Sequence, residues 1–228
     1  MMTEPARDIR RHLAQLKALR GDEAIAPARL QELKAWQSER LARSYADMAA
    51  VPRYRAATAF FLHDLYGAKD FSRRDQAMLR IVPVMSKVLP ASAVETAALA
   101  IELEALSEDL DQRLAAALPA GAIDEQAYAE AYRSSSTRAE RERQIELTGA
   151  VGARLDALVT RPMVFRTLTL MRRPARVAGL EDLQDFLERG FRAFREMHGA
   201  REFLDLIRDR ETEYLNRLFS GAARPFST

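Results

Sequence analysis

Apolar residues recur along this chain at intervals of three and four, the period of an amphipathic α-helix, and alternate with polar ones for only a few positions at a time. Residues 93–117 show it most plainly: Val94, Ala98, Ile101 and Ala105 form one row, and Leu99, Leu103, Leu106, Leu110 and Leu114 form the next. So wide an apolar arc predicts a helix at the centre of the fold. The same pattern predicts helices near residues 5–19, 28–48, 53–66, 73–89, 93–117, 125–133, 138–159, 162–171, 180–198 and 200–219.

Three capping boxes mark helix starts, Ser72-Arg-Arg-Asp75, Ser92-Ala-Val-Glu95 and Thr137-Arg-Ala-Glu140, each with a hydroxyl at the N-cap and a carboxylate three residues on. Pro83, inside Ile81-Val-Pro-Val-Met85, predicts a kink or split in its helix. The stretches weak in pattern, 20–27, 118–124, 133–137 and 221–228, are too short to link domains. The expectation is therefore an all-α chain forming a single-domain bundle of about eight to ten helices over residues 1–228. Residues 1–25 are expected to dock loosely and 221–228 to form a flexible tail.

Composition narrows the classes. Basic and acidic side chains nearly cancel, 35 against 33, so nucleic acid is not expected as a partner. The longest charge-free run, Leu114 to Ile123, has ten residues and contains Pro119, too little to span a membrane. With no cysteine, disulfides, thiolate catalysis and cysteine-based metal sites are excluded, and with three histidines no metal site is expected. The first residues, Met-Met-Thr-Glu-Pro-Ala-Arg, lack the apolar core of a secretory signal, and a bacterial-type cytoplasmic setting is expected. Arginine supplies 31 of the basic residues and alanine numbers 40, a bias suited to long helices.

Candidate chemistry sits where charged residues interrupt apolar faces. In Phe60-Phe-Leu-His-Asp-Leu-Tyr-Gly67, Asp64 follows two phenylalanines in the last turn of a helix, so burial and the helix dipole both oppose its charge. A cation is expected beside it, from Lys69, Arg73 or Arg74. His63 shares that turn. Arg74 extends backward the row Met78, Ile81, Val82 and Met85, with Asp75 at its border. Glu102 lies among Ala98, Leu99, Ala105 and Leu106, and Glu211 lies on the row Leu204, Ile207, Tyr214 and Leu218. Arg74, Glu102 and Glu211 are expected to meet, either as a buried structural network or as the lining of a polar pocket.

Gly190 stands on one face with Phe191, Phe194 and His198, where its cost in a helix implies a close approach, expected from another helix or from a flat cofactor. Gly149 and Gly152, in Leu147-Thr-Gly-Ala-Val-Gly-Ala153, resemble the small-residue helix over the haem of haem oxygenases, with His12, His63 or His198 as ligand. Two basic features complete the inventory. Residues 157 to 180 carry five arginines and no acid. Arg133, Ser136, Thr137 and Arg138 gather at a helix start, where an anion could bind. The sequence contains no Glu-x-x-His, phosphate loop, Gly-x-Ser-x-Gly or helix-turn-helix pattern.

The segments Phe60 to Gly67 with Arg74-Asp75, and Gly190 to Phe194 with Gly199 to Leu204 and Arg210-Glu211, resemble an uncharacterised family of all-helical bacterial proteins. That resemblance implies a fold and no activity. The functional expectation is a non-enzymatic soluble bundle, a homodimer, that binds a small ligand or a protein and carries no cofactor. The alternative is an enzyme or haem-associated protein with a polar pocket inside a haem-oxygenase-like bundle.

Overall fold

The computed structural model describes residues 3–21, 26–65 and 90–227, and every regular element among them is helical. In chain order these are α1 (Glu4–Arg20), α2 (Pro27–Ser44), α3 (Ala46–Ala50), α4 (Pro52–Phe60) continuing into a π-helical turn (Phe61–Leu65), and α5 (Ala91–Ala117). There follow α6 (Glu125–Ser135), α7 (Arg138–Val159), α8 (Pro162–Leu170), α9 (Arg172–Val177), α10 (Glu181–Glu196) and α11 (Arg201–Ser220). The predicted helix at 73–89, its kink at Pro83 and the Ser72 capping box lie outside the described residues.

The long helix α5 is central, as its wide apolar arc requires, and touches α1, α2, α6 and α7. Ala6, Ile9, Leu13 and Leu16 of α1 are buried with Val94, Ala98, Ile101 and Ala105 of α5. On the other side α5 and α7 run antiparallel, stitched by Glu95–Arg154, Glu102–Arg143 and Glu140–Arg113, each pair at 2.8 Å. α7 runs antiparallel to α11 as well, with Arg138 bonded to Asn216 at one end and Gly152 against Leu204 at the other. A second cluster joins Leu33 of α2 and Leu114 of α5 to Tyr128 and Tyr132 of α6 and Leu215 of α11. The third, aromatic cluster joins Tyr54 and Phe60 of α4 to Phe191 and Phe194 of α10 and Phe203 of α11.

Several local features differ from the sequence pattern. The expected single helix over 28–48 breaks at Tyr45, whose backbone leaves the helical region at φ −116°. The cause is tertiary: Arg210 takes the carbonyl of Ser44, and the Tyr45 hydroxyl is drawn to Glu211 at 2.6 Å. The Thr137 capping box forms in both directions. The Ser92 box does not, because α5 starts two residues earlier behind Pro90, leaving the Ser92 hydroxyl to accept from Arg161. The tail, read from sequence as flexible, brings Phe226 onto Trp36, Tyr128 and Tyr214, with ring centroids 5.4–6.2 Å apart. It leaves α11 through Gly221, whose φ of +75° suits a residue without a Cβ and permits the closing bond from the Ala222 amide to the Arg217 carbonyl.

Candidate functional site

Between α2, α5, α7, α10 and α11 the described residues line a cavity of about 370 Å³. Its polarity is segregated by the antiparallel packing. The C-terminal half of α5, the N-terminal half of α7 and the middle of α11 lie together and contribute Glu108, Asp111, Arg141, Gln144 and Glu211. α2 adds Lys34, Gln37 and Arg40 there. At the other end the lining is aromatic, with Phe60, Phe61, Phe186, Phe191, Phe194 and Phe203.

The charges at the polar end are mostly paired across helices. Lys34 meets Glu108 at 2.8 Å and Arg20 meets Glu104 at 2.9 Å. Glu108 is almost fully buried, and although burial opposes its charge, Lys34 and Arg20 outweigh it and hold the carboxyl below its ordinary value. Arg40 is 9% exposed and reaches Glu211 at 3.2 Å. Burial disfavours its charge too, but Glu211 keeps the guanidinium above its ordinary value. Burial pushes the phenol of Tyr132 up, so it remains a neutral hydroxyl.

Two groups fall outside this pairing. Asp111 accepts from Gln37 Nε2 at 2.9 Å, and burial raises its pKa, against which Gln37, Lys34 and Arg141 act only in part. Arg141 is 3% exposed and makes only neutral hydrogen bonds among the described residues. Its Nε donates to the Ser136 hydroxyl at 3.0 Å, its Nη1 donates to Gln144 Oε1 at 3.2 Å, and its guanidinium lies 4.1 Å from the centroid of the Tyr132 ring. Its Nη2 is buried without a hydrogen-bond partner among the described residues.

Of the pocket residues proposed from sequence, Glu211 lines this cavity and His63, Asp64, Glu102 and His198 do not. Arg74 and Asp75 lie outside the described residues, as do Lys69 and Arg73. Glu102 turns to Arg143 at the surface, at 2.8 Å, so it does not meet Glu211, which is held by Arg40 and Tyr45. Asp64 does have a cation, but among the described residues it is Arg189 of α10, at 2.9 and 3.3 Å, with the arginine half exposed. His63 is exposed on the π-helical turn. His198 is exposed between α10 and α11 at φ +53°, its Nδ1 2.9 Å from the Glu196 carbonyl. The anion-binding group is internally satisfied: Arg133 donates to the Leu218 carbonyl, Ser136 to the Tyr132 carbonyl and Arg138 to Glu142 and Asn216, while Thr137 and Glu140 cap each other.

The glycines also resolve. A Cβ on Gly190 would come within 2.7 Å of the Phe60 ring, and one on Gly152 within 2.4 Å of Leu204. The close approaches are thus side chains, not the helix backbone or flat cofactor expected. Gly149, by contrast, lines the cavity with nothing among the described residues within 4 Å of where its Cβ would be. Leu204 fills the face of Gly152, and none of the three histidines is among the residues that line the cavity.

Sequence reasoning passed over Lys34, Arg40, Glu108, Asp111 and Arg141. For two of them the signal was there. Glu108 continues the row Val94, Ala98, Ile101 and Ala105, and Arg141 precedes Ile145, Thr148 and Gly152 at helical spacing. Among the described residues no helix is long and apolar enough to cross a membrane, and no cluster of histidine and carboxylate side chains could hold a metal ion.

Neither the curated proteins nor the solved structures contain a match to this chain. Residues 16–225, nearly the whole helical bundle, match the family described as Domain of unknown function (DUF8198), and the chain belongs to that family.

Proposed function

We propose that the protein binds a small molecule in the cavity between α2, α5, α7, α10 and α11, without chemical turnover. The observation that carries this reading is the cavity itself. Protein interiors pack as densely as organic crystals and hold few voids larger than a water molecule, whereas pockets for small ligands run from about 300 to 1,000 Å³. The volume of about 370 Å³ lies within the second range. An apolar end to enclose a ligand body and a few placed polar groups to orient it are what such sites require.

Gly149 supports the same reading. A glycine inside a helix costs about 1 kcal/mol against alanine, and the described neighbours leave room for a Cβ at this position. What the missing side chain preserves is empty volume. The test is native mass spectrometry of the gently purified protein beside Gly149→Leu. A non-covalent adduct on the unaltered chain that disappears in the variant is expected. An unliganded mass for both, with a higher melting temperature for the variant, would show a void that substitution merely fills.

Self-association is part of the proposal. The exposed apolar side chains Met163, Leu170 and Val177, 75%, 77% and 92% accessible, supply a surface for a homodimer. Sedimentation equilibrium of the full chain, repeated with Leu170→Asp and Val177→Asp, reads it directly.

A further inference from the structure

We propose that the ligand is a monoanion, a carboxylate on an apolar body, and that Arg141 holds its head group. The inference rests on the cavity being a ligand site and adds the chemistry of what fills it.

At the polar end of the cavity wall the half-buried Arg20 and Lys34 contact Glu104 and Glu108, and the buried Arg40 contacts Glu211. Arg141 contacts no carboxylate among the described residues. A buried guanidinium answered only by a serine hydroxyl, an amide oxygen and an aromatic ring is poorly compensated for leaving water. Asp111 lies within its electrostatic reach, but that carboxylate accepts from Gln37, and burial raises its pKa.

The hydrogen-bond inventory points the same way. Among the described residues the cavity wall carries four buried polar atoms without a hydrogen-bond partner: Arg141 Nη2, Arg40 Nε, Tyr214 Oη and Thr58 Oγ1. The two guanidinium nitrogens can only donate, and the hydroxyls can donate as well. Arg141 and Arg40 line the same cavity, so both unspent guanidinium donors belong to its wall. A group that supplies acceptors and one negative charge completes it, and a carboxylate matches the fork of arginine. The body of the ligand is set by the opposite end. Gly149 lies eight residues along α7 from Arg141, about 12 Å at 1.5 Å per residue, beyond which the lining passes to Leu155 and the phenylalanines.

The test compares sodium decanoate with decanol, its uncharged counterpart, on the full chain by titration calorimetry and thermal shift. Decanoate should bind at least tenfold more tightly than decanol, as one charge-assisted hydrogen bond in a desolvated site implies. Arg141→Gln should remove that preference and leave decanol unchanged, whereas Gly149→Leu should weaken both. Equal affinities on the unaltered chain, or an undiminished preference in Arg141→Gln, would overturn the role of Arg141 while leaving the cavity as a ligand site. If Arg141→Gln does not fold, Arg141→Met replaces it, and an undiminished decanoate-to-decanol ratio there overturns the proposal. Failure of both probes to bind, together with an unliganded mass from cells, would remove the ligand-site reading itself.

Discussion

Arg40 of α2 and Glu211 of α11 stand 171 positions apart in the chain and meet with Nη1 3.2 Å from Oε1. The same carboxylate oxygen accepts from the Tyr45 hydroxyl at 2.6 Å, so one glutamate ties α2, the break after it and α11 together. The guanidinium also lies 4.7 Å from the centroid of the Phe226 ring, which closes it from the tail side. Removing Glu211 alone leaves a buried cation with a lost partner. Glu211→Gln should cost about 3 kcal/mol in urea denaturation, and adding Arg40→Met should recover part of it. Strict additivity of the two changes would mean that the pair is not coupled.

Asp111 should respond in the opposite direction. Its folded-state pKa is raised, chiefly by burial, so its contribution favours the folded state at low pH and is lost as pH rises from the ordinary carboxylate value through the raised one. Asp111→Asn keeps an acceptor for Gln37 and removes the buried charge. The variant should melt higher than the unaltered chain at pH 7, with the difference vanishing near pH 3. A lower melting temperature at pH 7 would assign Asp111 a needed negative charge.

Glu140 supplies an acid-sensitive clasp at the start of α7. The bond from Arg113, then those from the Thr137 amide and hydroxyl, bring its carboxyl down to about 2. Its contribution is therefore present above the ordinary value of about 4.5 and is lost as pH falls from there toward 2. Glu140→Gln should flatten the melting-temperature profile across that window. Thr137→Ala removes the cap hydroxyl and should cost about 1 kcal/mol at neutral pH.

The glycines of α7 and α10 predict contrasting outcomes. Gly190→Leu drives a side chain into the Phe60 ring and should destabilise by about 1–3 kcal/mol, with Phe60→Ala relieving part of the strain. Gly149→Ala meets no such neighbour and should gain about 1 kcal/mol, or a few degrees in melting temperature. Calorimetry distinguishes the two signs.

The helical fold was legible because its signal is local. The apolar rows of 93–117 determined which face of α5 is buried, and the Thr137 box determined where α7 begins. The π-helical turn was not legible, since nothing in Phe61-Leu-His-Asp-Leu65 distinguishes it from an α-helix. Nor was the break at Tyr45, which depends on Arg210 and Glu211 arriving from the far end of the chain.

The polar cavity was half legible for the same reason. Charged residues on apolar rows were the right signal, and it located Glu211. It also selected Glu102, which lies among alanines and leucines yet is 31% exposed, because Leu99 and Leu106 are themselves only half-buried. Glu108, on the more deeply buried row, carries the interior charge instead. A row locates a face of a helix, while the packing of the next helix decides how deeply that face lies.

Leu204 seated on Gly152 and Phe60 seated on Gly190 each act as a peg in a notch. Sliding α11 along α7 by one turn, about 5.4 Å, would carry Leu204 off its notch and onto Thr148 or Asp156, whose side chains occupy the place the glycine leaves free. The same displacement of α4 would bring the Phe60 ring against Phe186 or Phe194, one turn to either side of Gly190. Shear between these helix pairs is therefore blocked in both directions. Any opening of the cavity has to proceed by tilting about the pegs, with the notches as fulcrums, and not by helices slipping past one another.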